Sequence, residues 1–282
     1  GTSTNPQVVN NTNITATGNN NYGLYSAGYV VNKGNINLQA GTGNVGVYSI
    51  KGGTIENRNS TITVGGSISE KDEYGIGMAA GYSWTKKDLE KPISQRPEQT
   101  TGNIINRGTI NVNGEYSIGM YGTEAGTKVY NGTSKGSAAT INLGASNTTG
   151  MYLDNGAYGY NYGTIRSTGT GLSKVVGVVV KNGSTIENHG KIELSADDAV
   201  GILSKGNAAG ANPGIIKNYG TFNINGVTDP TNSSVIKRDD GGQDLGKSMG
   251  NVKIDVPKGS TVGTITVNGK PVVPTLATTT AK

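Results

Sequence analysis

Apolar and polar residues alternate along this chain in short bursts of period two. In Ile104, Asn106, Gly108, Ile110 and Val112 every second residue is apolar, Asn or Gly, and Ile105, Arg107, Thr109 and Asn111 fall between them. The same phase holds over Ile186–Leu194 and Ile216–Ile224. Period two puts alternate side chains on opposite faces of a strand, so these segments predict strands. Helix-length apolar periodicity is absent, and the density of Gly and Asn opposes it. About ten residues after each burst comes a shorter one, apolar-Gly-apolar, often followed by Tyr, as at Val45–Tyr48, Ile118–Tyr121 and Val200–Ile202.

The bursts share one phrase, apolar-x-Asn-x-Gly-x-Ile-x-apolar, with its Asn at Asn32, Asn57, Asn106, Asn131, Asn161, Asn188 and Asn218. Most steps between these Asn are 25 to 30 residues, and the step of 49 from Asn57 to Asn106 carries an insertion. Repetition on this scale marks an architecture whose units bury their apolar edges against their neighbours. Three short strands per unit describe one coil of a parallel β-helix, right-handed by the general preference of parallel crossovers. With coils stacked at roughly 4.8 Å, about eight give a rod on the order of 40 Å long. The Asn sits on the inward phase, where stacked amides form a ladder from coil to coil. The Gly two residues later provides either a positive φ or room at the bend, and Asn59 takes its place in the second copy. An all-β sandwich also has short strands, but it has no need of the same Asn at the same strand position in each unit.

This reading divides the chain into a polar N-terminal segment (1–17), the β-helix repeats (18–226), an irregular linker (227–250), a C-terminal β cap (251–273) and a disordered tail (274–282). In the cap, Asn268-Gly269 between alternating runs signals a hairpin. Insertions in a repeat protein map to loops on one side, often the binding side. The largest, about Tyr82–Thr101, holds the one Trp, Trp84, with Lys86, Lys87, Asp88, Glu90, Lys91 and Arg96. A second charged loop carries Glu70, Lys71, Asp72 and Glu73, and smaller loops are expected at Gly132–Ala139 and Gly206–Pro213.

Composition narrows the chemistry. Apolar residues make up 33% of the 282, and the 46 glycines bring no side chain to a core, which suits a thin core running along an axis. There is no Cys and one His, so thiolate chemistry, disulfides and an ordinary zinc site lack their residues. The net charge of +5 is spread without a basic run, which argues against nucleic acid as a partner. No apolar stretch is long enough to span a membrane as a helix. The chain starts at Gly1-Thr2-Ser3 and stops in Thr278-Thr279-Thr280, and is read as a piece of a larger exported polypeptide.

The phrase Ile105-Asn106-Arg107-Gly108-Thr109-Ile110 followed by Gly119-Met120-Tyr121 resembles the passenger region of large type V autotransporter adhesins, particularly the Asn/Gly-rich fusobacterial ones. The stretch from Asp255 to Gly269 is similar to segments recurring in those proteins. The resemblance implies a cell-surface location at the outer membrane, with membrane contact only through a C-terminal translocator that this chain does not contain. It also implies a host-cell or bacterial receptor, protein or glycan, as partner. Side-by-side self-association of rods is a further possibility.

No cofactor or metal is expected: no EF-hand or Asp-rich calcium repeat occurs. The carboxylate pairs Asp72/Glu73, Asp197/Asp198 and Asp239/Asp240 read as turn charges rather than as a glycosidase pair, and His189 as an outward surface residue. The chain is therefore expected not to be an enzyme. The candidate binding residues are Trp84 as anchor with Lys86, Lys87, Lys91 and Arg96, and an edge of Tyr25, Tyr48, Tyr121 and Tyr152, whose rings offer amphipathic contacts. Two alternatives remain at this stage: a stalk that only spaces a distal domain, and a carbohydrate-active β-helix enzyme.

Overall fold

A computed structural model describes residues 5–206, 214–225, 234–238, 253–254, 264–267, 269–272 and 275–276. It is a parallel β-helix. Each coil places a strand on each of three faces, and strands on a face pair in parallel with those of the next coil. The Asn face stacks Val8–Asn10, Tyr29–Asn32, Thr54–Asn57, Asn103–Asn106, Lys128–Asn131, Tyr158–Asn161, Thr185–Asn188 and Ile215–Asn218. The second face, past the bend, runs from Ile14–Thr15 through Ile36–Leu38 to Thr221–Ile224 and Thr264–Val267. The Gly face runs from Tyr22–Ser26 through Ile76–Ala80 to Ser234–Arg238.

Register makes the core a set of columns. Ile36, Ile62, Ile110, Ile141, Ile165, Ile192, Phe222 and Ile265 stand one above another, all buried. The one Phe of the chain is thus a member of an isoleucine column. Burying each such side chain contributes about 1.5–3 kcal/mol, and the sum accrues along the axis rather than in a centre.

The bend glycines supply room rather than a positive φ. A Cβ on Gly34 would lie 2.0 Å from Thr12 O, and one on Gly190 would lie 2.0 Å from Gly163 O, so the backbone of one coil rests on that of the last. Asn59, in place of the Gly in the third coil, has φ 52°, and a one-residue bulge between Arg58 and Thr61 absorbs the extra length.

Two segment expectations need correcting. Val8–Asn10 and Ile14–Thr15 pair in register with the next coil, so most of the stretch read as a polar N-terminal segment is itself a coil. It was hidden because Thr12 occupies the bend-Gly position, which costs nothing where no coil lies beneath it among the described residues. Ser234–Arg238, inside the span read as an irregular linker, pairs with Val200–Ser204 as the third strand of the eighth coil. In the cap, Thr264–Val267 pairs antiparallel with Lys270–Val272 through Gly269 at φ 73°. Lys253–Ile254 pairs with Thr275–Leu276, two residues of the expected tail. The rest of the linker and the tail, Asp239/Asp240 and residues 207–213 lie outside the described residues.

Candidate functional site

The Asn ladder is continuous and has one rung more than the repeat phrase announces. Asn10 Nδ2 donates to Asn32 Oδ1 at 2.8 Å. The series continues Asn32 to Asn57 (3.0 Å), Asn57 to Asn106 (3.0 Å), Asn106 to Asn131 (2.9 Å), Asn131 to Asn161 (2.8 Å), Asn161 to Asn188 (2.8 Å) and Asn188 to Asn218 (2.7 Å). The second amide hydrogen finds a backbone carbonyl past the bend, as from Asn32 to Gly34 O at 2.8 Å and from Asn161 to Lys191 O at 3.2 Å. From Asn32 to Asn188 these side chains are buried and hydrogen-bonded, which makes the ladder a scaffold rather than a ligand site.

The insertion between Ala80 and Asn103 folds on itself. Tyr82 and Thr100 bridge antiparallel at its neck, and Lys86–Leu89 forms one helical turn with a capping box between Thr85 and Asp88. Asp88 is the hub: its buried carboxylate accepts from the Tyr82 hydroxyl, from Thr85 Oγ1 at 2.8 Å and from Lys91 Nζ at 2.9 Å. The Tyr82 hydrogen bond, followed by those of Lys91 and Thr85, holds the Asp88 carboxyl well below the usual range. Burial and the same carboxylate push the Tyr82 phenol up to about 12. Trp84 is half-buried; its indole N–H donates to Pro97 O at 2.8 Å and the Arg96 guanidinium lies 4.9 Å from its ring centre. Arg96 also donates to Leu89 O and Lys91 O, each at 2.9 Å.

Trp84, Lys91 and Arg96 are thus engaged inside the insertion, while Lys86 and Lys87 are exposed and form no ion pair among the described residues. The insertion also exposes two large apolar side chains that the charge-and-tryptophan reading passed over, Leu89 at 55% and Ile93 at 76% exposure. Their signal was available: apolar residues in a segment with no strand alternation have no core position to fill.

The tyrosine edge is two clusters rather than one. Tyr25 pairs with Tyr48 and Tyr121 with Tyr152, but Ala79 occupies the register position between Tyr48 and Tyr121. Tyr22 joins the first cluster, 6.0 Å from Tyr48. Tyr48 is half-buried and donates to Gly81 O at 2.9 Å, and burial pushes its phenol well up. Burial, with Asp154 nearby, raises Tyr121 to about 12. Only Tyr22 and Tyr25 of this edge stand open to solvent.

A second aromatic row, on the Asn face, escaped the sequence reading. Tyr130 stacks on Tyr160 at 4.6 Å, and Tyr162, His189 and Tyr219 stack in turn at 4.8 and 4.9 Å. The ring faces are largely taken by one another, so hydroxyl and ring edges are what the row offers. Beside it Glu187 meets the Tyr158 hydroxyl, His189 Nε2 at 3.1 Å and Lys217 Nζ at 3.5 Å. Burial pushes the Glu187 carboxyl up, but the hydrogen bonds from Tyr158 and His189 and the Lys217 charge outweigh it and hold it below its ordinary value. An ionised carboxylate this well satisfied is a poor proton acceptor. Tyr162, His189 and Tyr219 share the position after the ladder Asn, which the sequence marks as outward without showing that their rings stack.

Of the carboxylate pairs, Asp72 and Asp198 lie in turns while Glu73 and Asp197 form isolated bridges to Ile68 and Ser173, and no cluster of three or more metal-binding side chains occurs among the described residues. No helix among those residues is long and apolar enough to cross a membrane. Comparison with curated proteins and with solved structures gives no match. The model of the BigA third pectate lyase-like domain, from a bacterial surface protein, matches residues 1–164, through the insertion and into the sixth coil. That match takes in more than half of the 282 residues, and the chain belongs to the BigA third pectate lyase-like domain family.

Proposed function

We propose that this chain is the exposed β-helix of an exported bacterial adhesin, of the autotransporter passenger type, and that it binds a receptor on a host cell or partner bacterium through the insertion between Ala80 and Asn103. It is a binding module without catalysis. The observation that carries the reading is the pairing of a fixed frame with an open apolar tip. Asp88, Arg96 and Trp84 secure the insertion from within, while Leu89 and Ile93 face solvent beside Lys86 and Lys87. Exposed apolar side chains on a preorganised segment bind with little ordering cost. The family supports a surface-displayed β-helix, and the satisfied Glu187 cluster supports the absence of acid–base chemistry.

The test compares the chain with a version in which Tyr82–Thr101 is replaced by a short Gly-Ser turn, and with Leu89→Asp/Ile93→Asp. Each is applied to host cells, partner bacteria and a glycan panel after circular dichroism shows that it folds. Binding that is lost in both variants supports the reading. Binding that survives in both moves the site elsewhere, and no binding by any version makes the rod a stalk.

A further inference from the structure

Tyr160 is a junction of rings. Tyr130, its register partner one coil below, lies 4.6 Å away with the ring planes 3° apart. Tyr158 lies at 4.8 Å, tilted by 30°, and Tyr162 is nearly parallel but at 6.2 Å. In the same outward column Ile105 stands below Tyr130 and Glu187 above Tyr160, so the column holds these two rings as a pair. Matched positions on stacked parallel strands, roughly 4.8 Å apart, send their side chains the same way. The two hydroxyl ends therefore point together, and the ring carbons beside the hydroxyls face each other across the stack. The other tyrosine pairs in contact among the described residues lack this combination. Tyr25 meets Tyr48 edge to face at 69°, Tyr121 meets Tyr152 at 38°, and Tyr22 and Tyr48 are stacked but 6.0 Å apart.

Two phenols held in this way are placed for a reaction that consumes them as a pair. A phenol that loses one electron also releases its proton, and the radical left behind carries spin on the ring carbons ortho to the oxygen. Two such carbons already in contact join without a search for each other. The row provides for the proton as well. The Tyr158 hydroxyl donates to the Glu187 carboxylate, which its partners keep ionised. Glu187 is too weak a base for a neutral phenol, but an oxidised phenol is far more acidic and yields its proton to it. The hole then passes from Tyr158 to the adjoining Tyr160 ring. We propose that Tyr130 and Tyr160 form an oxidative cross-linking site, at which peroxide, acting through a peroxidase as one-electron catalyst, joins the two rings by a carbon–carbon bond. Each phenol gives up one electron and one proton. The peroxide takes up two of each, its O–O bond breaks and two waters leave. The new bond forms between carbons ortho to the two hydroxyls, and the hydrogens on those carbons pass to the oxygens, which restores both phenols. The bond ties coil five to coil six in a chain that has no cysteine for a disulfide. Such a tie stabilises by closing a loop in the unfolded chain.

Trypsin, cutting after Lys128, Lys135 and Arg166, leaves Tyr130 as the one Tyr of residues 129–135 and places Tyr160 within 136–166. The folded chain, dilute and at neutral pH, is treated with hydrogen peroxide and a peroxidase. Its monomer is isolated, and the digest is read by mass spectrometry with fragmentation. The expected product is 129–135 joined to 136–166 at Tyr160 with the loss of two hydrogens. The fluorescence of joined phenols should accompany it, with a melting temperature above that of the untreated chain. Tyr130→Phe and Tyr160→Phe should each lose the joined peptide while circular dichroism shows an unchanged fold. Tyr158→Phe should form it more slowly. A monomer with no link, with links only among Tyr22, Tyr25 and Tyr48, or with links only inside 136–166 overturns the site. An unchanged rate in Tyr158→Phe overturns the part given to Glu187, and a link that leaves the melting temperature unchanged overturns its action as a tie between coils.

Discussion

Asn57 Nδ2 lies 3.0 Å from Asn106 Oδ1 although 49 residues separate them, and Asn106 makes the same contact with Asn131, 25 residues on, at 2.9 Å. The ladder therefore takes no notice of the insertion, which hangs from the corner while the coils close beneath it. Replacing Asn106 by Ala removes the acceptor of Asn57 Nδ2 and the donor to Asn131 Oδ1 in a buried stack. A cost of about 3 kcal/mol is expected from the groups left unsatisfied. Asn10→Ala, at the open end, should cost under about 1 kcal/mol, because water replaces the lost partner. Urea denaturation of the two variants checks the contrast, and equal losses would mean that the ladder is not what holds the coils.

Gly190 tests the close approach at the bend. Its backbone has ordinary φ, but a Cβ would lie 2.0 Å from Gly163 O, an atom that cannot move without opening the stack. Gly190→Ala is expected to destabilise by about 3 kcal/mol through overpacking. Gly52 has φ 71° and nothing within 4 Å of its Cβ position, so Gly52→Ala should cost only the left-handed strain, about 1 kcal/mol. Thermal melts that rank the two the other way would assign the bend glycines a conformational role.

How much of this was legible in the sequence follows from what repeats. The ladder Asn, the isoleucine column and the left-handed Asn59 were readable because each coil restates the same constraint, and register then fixes who stands on whom. The first coil was missed because Thr12 breaks the phrase at the position where Gly34, Gly108 and Gly190 stand in later coils. The role of the bend Gly stayed open because room and positive φ select the same residue. Within the insertion nothing repeats, so the contact between Trp84 and Arg96 had no signal in the sequence. The stacked row through His189 shared an outward column with Lys33 and Arg107, so the sequence did not single out its rings.

The insertion should have its own pH window. Asp88 is held below its ordinary value of about 3.9, so its contribution is present above that value and is lost as pH falls through the depressed folded value. Tyr82 is raised to about 12, so its contribution is present below about 10 and is lost as pH rises toward 12. Fluorescence of Trp84, the one Trp, should stay constant between these limits and change outside them while the circular dichroism of the rod persists. In Asp88→Asn the acid change should disappear. An acid transition that remains in that variant would place the sensitive group elsewhere.

His189 stands between Tyr162 and Tyr219 at 4.8 and 4.9 Å, nearly parallel to both, with Glu187 at 3.1 Å from its Nε2. Stacking and the Glu187 contact contribute separately here and can be told apart. Each ring contact is worth about 0.5–1.5 kcal/mol beyond area, whereas a partly exposed hydrogen bond is worth about 1 kcal/mol. His189→Ala removes both stacks and the contact with Glu187, and a loss of about 2 kcal/mol is expected. His189→Phe keeps a ring in the row and gives up only the contact with Glu187, so it should recover most of that loss. Equal destabilisation by Ala and Phe in urea melts would mean that the imidazole serves Glu187 and that the row is stacked only in appearance. Recovery by Phe would make the row a brace between coils six, seven and eight.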